Sequence, residues 1–334
     1  KIKNDNGDMN GNGNTIIYCA IRRPDGYCGK LPELGTGVLS LTYGSNDSNP
    51  SYVTNFPVDW AFSRKPASSE DWYTAARLIQ GKYLKLNENE SEVSHSNQMF
   101  DYSNGWHTQI ANLTTYMSWN WKRNAGFDVV TWKGANSINE RRHNLGRTPE
   151  MIIFKDRDAN RNWRTYHKGL NGGTNPEDYV VNINNSSAEG SNTNYMNGTA
   201  PTATHFVTGN DGDTNNFGDD YIALLFASVE GISSLGGYDG SSSDVTVTTG
   251  FQPRFILIKC VTDTYNWVVF DTLRGLTASG NDPTIFLNQD DAQNTNGNHN
   301  WITGLSSTGF TVSSPSSYPW INTANEKYIY YAHS

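Results

Sequence analysis

Apolar residues run without a break at Met151-Ile152-Ile153-Phe154 and again at Phe255-Ile256-Leu257-Ile258, each run closed by a lysine, Lys155 and Lys259. A strand that is apolar at successive positions has both faces covered, so these two stretches are predicted to be central strands of their sheets. Elsewhere the pattern alternates, as in Val38-Leu39-Ser40-Leu41-Thr42-Tyr43, or gives short runs rich in Val, Ile, Phe, Tyr and Trp between clusters of Gly, Asn, Asp and Ser. That is the strand-and-turn signature of a sandwich or barrel. Only Trp72 to Lys82 carries a helical period, and it is short.

The two apolar runs sit inside a longer pattern, LGRTPEMIIFK from Leu145 and TGFQPRFILIK from Thr249, each followed by Asn-Trp. Gly146/Gly250, Pro149/Pro253, Lys155/Lys259, Asn162/Asn266 and Trp163/Trp267 are all 104 residues apart, as are INNSSA from Ile183 and LNQDDA from Leu287. A more degenerate copy lies upstream, where Asp59, Arg64 and Asp71-Trp72 precede Glu150, Lys155 and Asn162-Trp163 by 91 residues. YMSWNW from Tyr116 likewise precedes YIALLFA from Tyr221 by 105 residues, and YIYYAHS from Tyr328 follows it by 107. Self-similarity at a near-constant period marks repeated structural units. The fold predicted is therefore all-β, built of tandem β-sandwich units of the jelly-roll or concanavalin-like kind. The units span 37–126, 127–228 and 229–334, preceded by the closing strand of an earlier copy at 1–21 and a linker at 22–36.

Pro149, Trp163, Pro253 and Trp267 are the structural anchors of this repeat. The tryptophans are read as core side chains whose indole N–H is satisfied internally. Arg64, Lys155 and Lys259, at the ends of their strands, are expected to lay their stems on apolar surface and to reach solvent or a carboxylate with their charged heads.

Composition narrows the chemistry. The 334 residues hold 25 Lys and Arg against 33 Asp and Glu, a net charge of −8, with no clustered basic face of the kind nucleic acid requires. No apolar run approaches the ~18 residues of a membrane span. Cys19, Cys28 and Cys260 are too few for a disulfide scaffold, and the scattered histidines form no zinc motif. GxSxG, HExxH and Walker sequences are absent. No cofactor is expected.

As an ordered set, FDVVTWKG, HNLGRTPEMIIFK, NWRTYHKGL, YIALLFASVEGISSLGGYDG, TGFQPRFILIK and NWVVFDTLRG resembles a repeat of tail-fibre and other virion proteins of tailed phages of marine bacteria, cyanophages among them. The chain departs from that pattern where GGYDG at Gly236 leads into a serine run, and where it ends on YAHS. The resemblance implies an extracellular virion appendage, assembled in the host cytoplasm, with other appendage proteins as partners. It implies no catalytic residue. Fibre proteins are commonly trimers; no heptads are visible, so homotrimer contacts would come from sandwich faces.

Recognition on such a scaffold belongs to loops. One loop precedes the closing strand of every unit and differs in each: FDYSNGWHTQ from Phe100, GNDGDTNNFGDD from Gly209 and SSPSSYPWINT from Ser313. Trp106, His107, Phe217, Tyr318 and Trp320 stand there among polar turn formers, a composition suited to stacking on a sugar and fixing its hydroxyls. These five are the candidate contacts to a host cell-surface glycan or receptor. Asp211 and Asp213 in the second loop offer hard oxygens for Ca²⁺, although the spacing is not that of an EF-hand. Two other classes stay open. The chain could be a purely structural spacer, or a polysaccharide depolymerase drawing its carboxylate pair from runs such as Glu88, Glu90 and Glu92.

Overall fold

The computed structural model describes residues 34–123, 125–277, 280–295, 300–314 and 320–334. The closing strand expected at 1–21, nearly all of the 22–36 linker, Cys19, Cys28 and Tyr318 lie outside the described residues. Within them, the first third of the chain forms β1 Leu39–Tyr43, β2 Tyr52–Val53, β3 Trp60–Arg64, β4 Tyr73–Ala76, β5 Lys82–Lys85, β6 Val93–Ser94, β7 Gly105–Trp106 and β8 Met117–Trp121. The second forms β9 Phe127–Lys133, β10 Asn139–Arg142, β11 Met151–Asp156, β12 Arg164–His167, β13 Tyr179–Asn182, β14 Gly190–Ser191, β15 His205–Thr208 and β16 Asp220–Phe226. The last forms β17 Ser233–Asp239, β18 Val245–Thr248, β19 Phe255–Cys260, β20 Val268–Asp271, β21 Ile285–Phe286, β22 Ile302–Ser306, β23 Gly309–Val312 and β24 Lys327–His333.

These strands make three main antiparallel sheets, ordered β1-β8-β3-β4-β5-β6, β14-β13-β12-β11-β16-β9 and β17-β24-β19-β20-β21. Each is backed on its outer side by a smaller sheet, β2-β7, β10-β15 and β18-β23-β22 respectively. The protein is thus all-β and layered as a sandwich. The two apolar runs are central, β11 lying between β12 and β16 and β19 between β20 and β24.

Alternation along the strands decides what each face meets. Met151 and Ile153 of β11 enter one core together with Trp60 and Phe62 of β3 and Phe255 and Leu257 of β19. Ile152 and Phe154 point the other way, into a cluster with Tyr195, Met196 and Phe206 beneath the β10-β15 ribbon. Ile256 and Ile258 do the same against Phe310 and Val312, and Ala61 does so against Tyr52 and Trp106. The three main sheets follow one another in sequence, but they are not separate beads. The inner faces of all three main sheets converge on a single core, where a residual apolar cavity of about 20 Å³ is lined by Trp60, Met151, Phe255 and Tyr331 among others.

The sheets are tied to one another by the same contact made three times. Trp163 Nε1–H donates to the Lys85 carbonyl of the first sheet at 2.9 Å, and Trp267 Nε1–H to the Asn182 carbonyl of the second at 2.9 Å. Trp72 Nε1–H donates to the Phe286 carbonyl of the third at 2.9 Å, which closes the ring. Each tryptophan's own N–H is held by an asparagine side chain, Asn87, Asn184 and Asn288. Each of those asparagines in turn donates to the residue before the tryptophan, Asp71, Asn162 and Asn266. The loop after the asparagine then crosses to the next sheet, where the backbone N–H groups of Glu92, Glu189 and Gln293 reach the carbonyls of Arg157, Val261 and Pro66 at 2.7 to 2.8 Å.

Two expectations need correcting. Arg64, Lys155 and Lys259 reach neither solvent nor a carboxylate, for all three are fully buried. Their heads instead hold carbonyls: Lys155 Nζ donates to Asn89, Arg161 and Ala159, and Lys259 Nζ to Ser186, Tyr265 and Asp263. Arg64 spreads over the Gln289, Asp290 and Asp291 carbonyls of the third sheet. Burial lowers both lysines to about 8, which leaves them protonated at neutral pH and able to fill those acceptors. Secondly, Trp72 to Lys82 is not helical: it is β4 followed by a short 3-10 turn at Arg77–Ile79, because pairing with β3 and β5 outweighs the local period.

The repeat's glycines have a backbone reason. Gly146 and Gly250 enter the central strands with φ of 73° and 84°, the left-handed region where a side chain would be strained. Pro149 and Pro253, three residues on, are buried.

Candidate functional site

The four described loop residues do not form one surface. Trp106 is buried, stacked between Tyr52 at 4.8 Å and Phe100 at 5.2 Å, and its Nε1–H donates to Asn120 Oδ1 at 2.7 Å. It is the centre of the outer core of the first sheet and presents no ring face to a sugar. His107, half-buried beside it, has Nδ1 2.7 Å from Ser51 Oγ, and burial lowers its pKa. Trp320 is partly buried, stacked on Trp301 at 5.4 Å and edge-on to Phe286 at 4.9 Å. Phe217 alone of the described four is open, at 77% exposure on the tip before Gly218.

The calcium reading meets a direct obstacle. Asp213 faces two guanidinium groups, with Oδ2 2.5 Å from Arg164 Nε and Oδ1 3.6 Å from Arg161 Nη1. Asp211 caps the short helix α1 Gly212–Asn215, one oxygen accepting from Asp213 N–H at 2.8 Å and the other from Asn192 Nδ2 at 2.7 Å. Both carboxylates are therefore committed to organising the loop. Two members of the acidic run are similarly occupied: Glu90 pairs with Lys85 at 3.0 Å, and Glu92 with Arg157 at 2.7 Å and with Lys82.

A groove that no loop motif indicated lies between the second and third sheets. Its volume is about 380 Å³. One wall is the turn after β12, with Lys168, Gly169, Gly172 and Gly173; the other is the free edge of the third sheet, Gly236 to Asp239 of β17, with Lys327 and Tyr328 of the neighbouring β24. The three junctions are not equal. Gly169 lies six residues after Trp163, where the other two copies place Leu78 and Leu273, both more than 40% exposed. Gly237 pairs with Ile329 in the register where Thr131 pairs with Ile222 and Tyr43 with Met117. Glycine thus stands on both walls of this junction, and β24 approaches both closely: a Cβ at Gly169 would lie 3.0 Å from Ile329 Cγ2, and one at Gly237 2.9 Å from the Tyr328 carbonyl oxygen.

The charges of the groove come in pairs. Lys168 Nζ lies 2.9 Å from Glu150 Oε1, and Lys327 Nζ 2.9 Å from Asp239 Oδ1, the latter pair largely exposed. Burial would raise the Glu150 pKa, but hydrogen bonds from Ser228 and Lys168 and the lysine's charge outweigh it and hold the carboxyl below its usual range. Deeper in, His167 joins the two walls: its Nδ1 accepts from Gly169 N–H at 3.0 Å, and its Nε2–H donates to the Tyr330 carbonyl at 3.3 Å. Burial lowers this imidazole to about 4, so it is neutral. The single signal in the sequence was the departure at GGYDG, which supplies the β17 wall.

Among the described residues no helix is long and apolar enough to cross a membrane. Residues 39–334 match the model of a domain family of unknown function, DUF7483. No curated protein matches the chain.

Proposed function

Taking as premise that the chain belongs to the DUF7483 family, we propose that it is a non-catalytic virion appendage protein of a tailed phage that holds a host-surface glycan on a rigid three-sheet scaffold. The observation that carries the reading is the groove at the second junction, an open concavity in a molecule whose other junctions bear side chains at the matching positions. The motif resemblance supports the virion setting, outside the cell, with other appendage proteins as neighbours and a homotrimer as the expected assembly. A purely structural spacer is the second reading. It gains from Trp106 and Trp320, whose rings pack inward rather than outward. The depolymerase reading is weakened, since Glu90 and Glu92 of its acidic run are held in ion pairs.

The test is binding of the chain to cells of marine bacterial hosts and to a panel of their surface polysaccharides. Saturable binding supports adhesion; its absence for a folded chain leaves the spacer.

A further inference from the structure

We propose that the groove between the turn after β12 and the edge strand β17 binds a neutral saccharide through vicinal hydroxyl groups, an assignment that rests on the adhesion reading and names its ligand class. Size comes first. A groove of about 380 Å³ falls within the range of small-molecule sites and suits one or two sugar rings rather than a folded partner.

Charge then selects among small ligands. Each ammonium in the groove is already matched by a carboxylate, Lys168 by Glu150 and Lys327 by Asp239. With no surplus positive charge, a phosphate or uronate gains nothing that it does not lose by competing with the resident carboxylate. A hydroxyl group behaves differently, because it donates and accepts at once. Beside a lysine–carboxylate pair it gives its proton to the carboxylate and takes one from the ammonium, and two adjacent hydroxyls on a sugar ring fit such a pair without breaking it.

The Asp239–Lys327 pair is placed for this. Their side chains are 79% and 49% exposed, so a ligand reaches them without unfolding anything. Gly172 and Gly237 line the groove, are exposed and carry no side chain, so a ring can approach the backbone there. Tyr238 and Tyr328 are stacked on each other at 5.0 Å, and Tyr238 Oη–H is already given to the Ile321 carbonyl. Recognition therefore falls on the polar groups of the groove.

The experiment is isothermal titration of the whole chain with neutral oligosaccharides of glucose, galactose and mannose, beside polygalacturonate and inorganic phosphate. Asp239→Asn, Lys327→Met and Gly169→Leu are run in parallel, with thermal melts as the folding control. Gly169→Leu places here the residue the other two junctions carry, although its Cβ would come within 3.0 Å of Ile329 Cγ2; the two charge variants lie on the surface and keep the test valid should the leucine disturb packing. The expected result is binding of a neutral oligosaccharide, weakened about tenfold or more by Asp239→Asn and by Lys327→Met and abolished by Gly169→Leu. Preference for polygalacturonate or phosphate, lost as salt is raised, would overturn the neutral assignment. Neutral binding unchanged in the surface variants would overturn the groove while leaving adhesion standing. No saccharide bound by the folded wild-type chain would overturn both.

Discussion

Truncating Trp163 to alanine removes an indole that is 1% exposed, sits in the shared core and ties the second sheet to the first through the Lys85 carbonyl. A buried tryptophan covers roughly 150 to 250 Å², which at about 25 cal/mol per Å² amounts to roughly 4 to 6 kcal/mol of lost burial. Large-to-small changes of this kind cost about 3 to 5 kcal/mol when measured, with partial relaxation included. The orphaned carbonyl adds on the order of 1 kcal/mol. Trp163→Phe keeps a buried six-membered ring and loses the N–H donor together with the rest of the indole; its expected cost is about 1 to 3 kcal/mol, below that of alanine. The assay is urea unfolding followed by far-ultraviolet circular dichroism, so that losing a fluorophore does not distort the signal, with the m-value checked for constancy. Trp72→Ala and Trp267→Ala should cost amounts similar to Trp163→Ala, because the same bond is made at all three junctions. A loss below about 1 kcal/mol for the alanine variant, or a phenylalanine variant as damaging as alanine, would refute the account.

Lys155→Met and Lys259→Met should each destabilise by roughly 1 to 3 kcal/mol, measured in the same assay, because a methionine fills the stem's volume but leaves buried carbonyls without a donor. The pH dependence has a definite sign at His167: its pKa of about 4 lies below the unfolded value of 6.5, so the unfolded chain binds a proton that the folded chain does not, and stability falls as pH drops from 6.5 towards 4. The stability gap between wild type and His167→Asn should accordingly shrink by roughly 3 kcal/mol over that window, and a pH-independent gap would count against a neutral buried imidazole. Millimolar Ca²⁺ should leave the melting temperature unchanged; a rise of several degrees would show that Asp211 and Asp213 bind a cation in spite of their arginine and backbone partners.

Much of the scaffold was legible. Four consecutive apolar residues place β11 and β19 in sheet centres, and the 104-residue spacing aligns Trp163 with Trp267, which make equivalent bonds. What the pattern could not say was who covers those faces. A doubly apolar strand is equally compatible with a private sandwich core and with one shared among three sheets, and Lys155 at its end is equally compatible with water and with carbonyls. The third copy of the asparagine loop, LNENES from Leu86, was missed because in the first unit its asparagine follows the tryptophan by 15 residues instead of 21. Trp106 misled for a different reason: its neighbours in sequence are polar, while the ring that covers one of its faces, Tyr52, comes from far upstream. The groove was illegible because its walls come from separate elements, the turn after β12 and the edge strand β17, which lie far apart in the chain.

The closed set of tryptophan and loop contacts has a further consequence. The third sheet meets the first through the same kind of bonds that the first makes with the second, although the chain does not run directly between those two sheets. The links from β8 to β9 and from β16 to β17 therefore act as tethers that keep the three sheets at high effective concentration, so that the bonds between sheets form within one polypeptide. In such an arrangement one module can change its surface, as the second junction has done with its glycines, while the other two keep theirs. Three separate copies of one chain could not do so, since any substitution would appear at all three junctions at once.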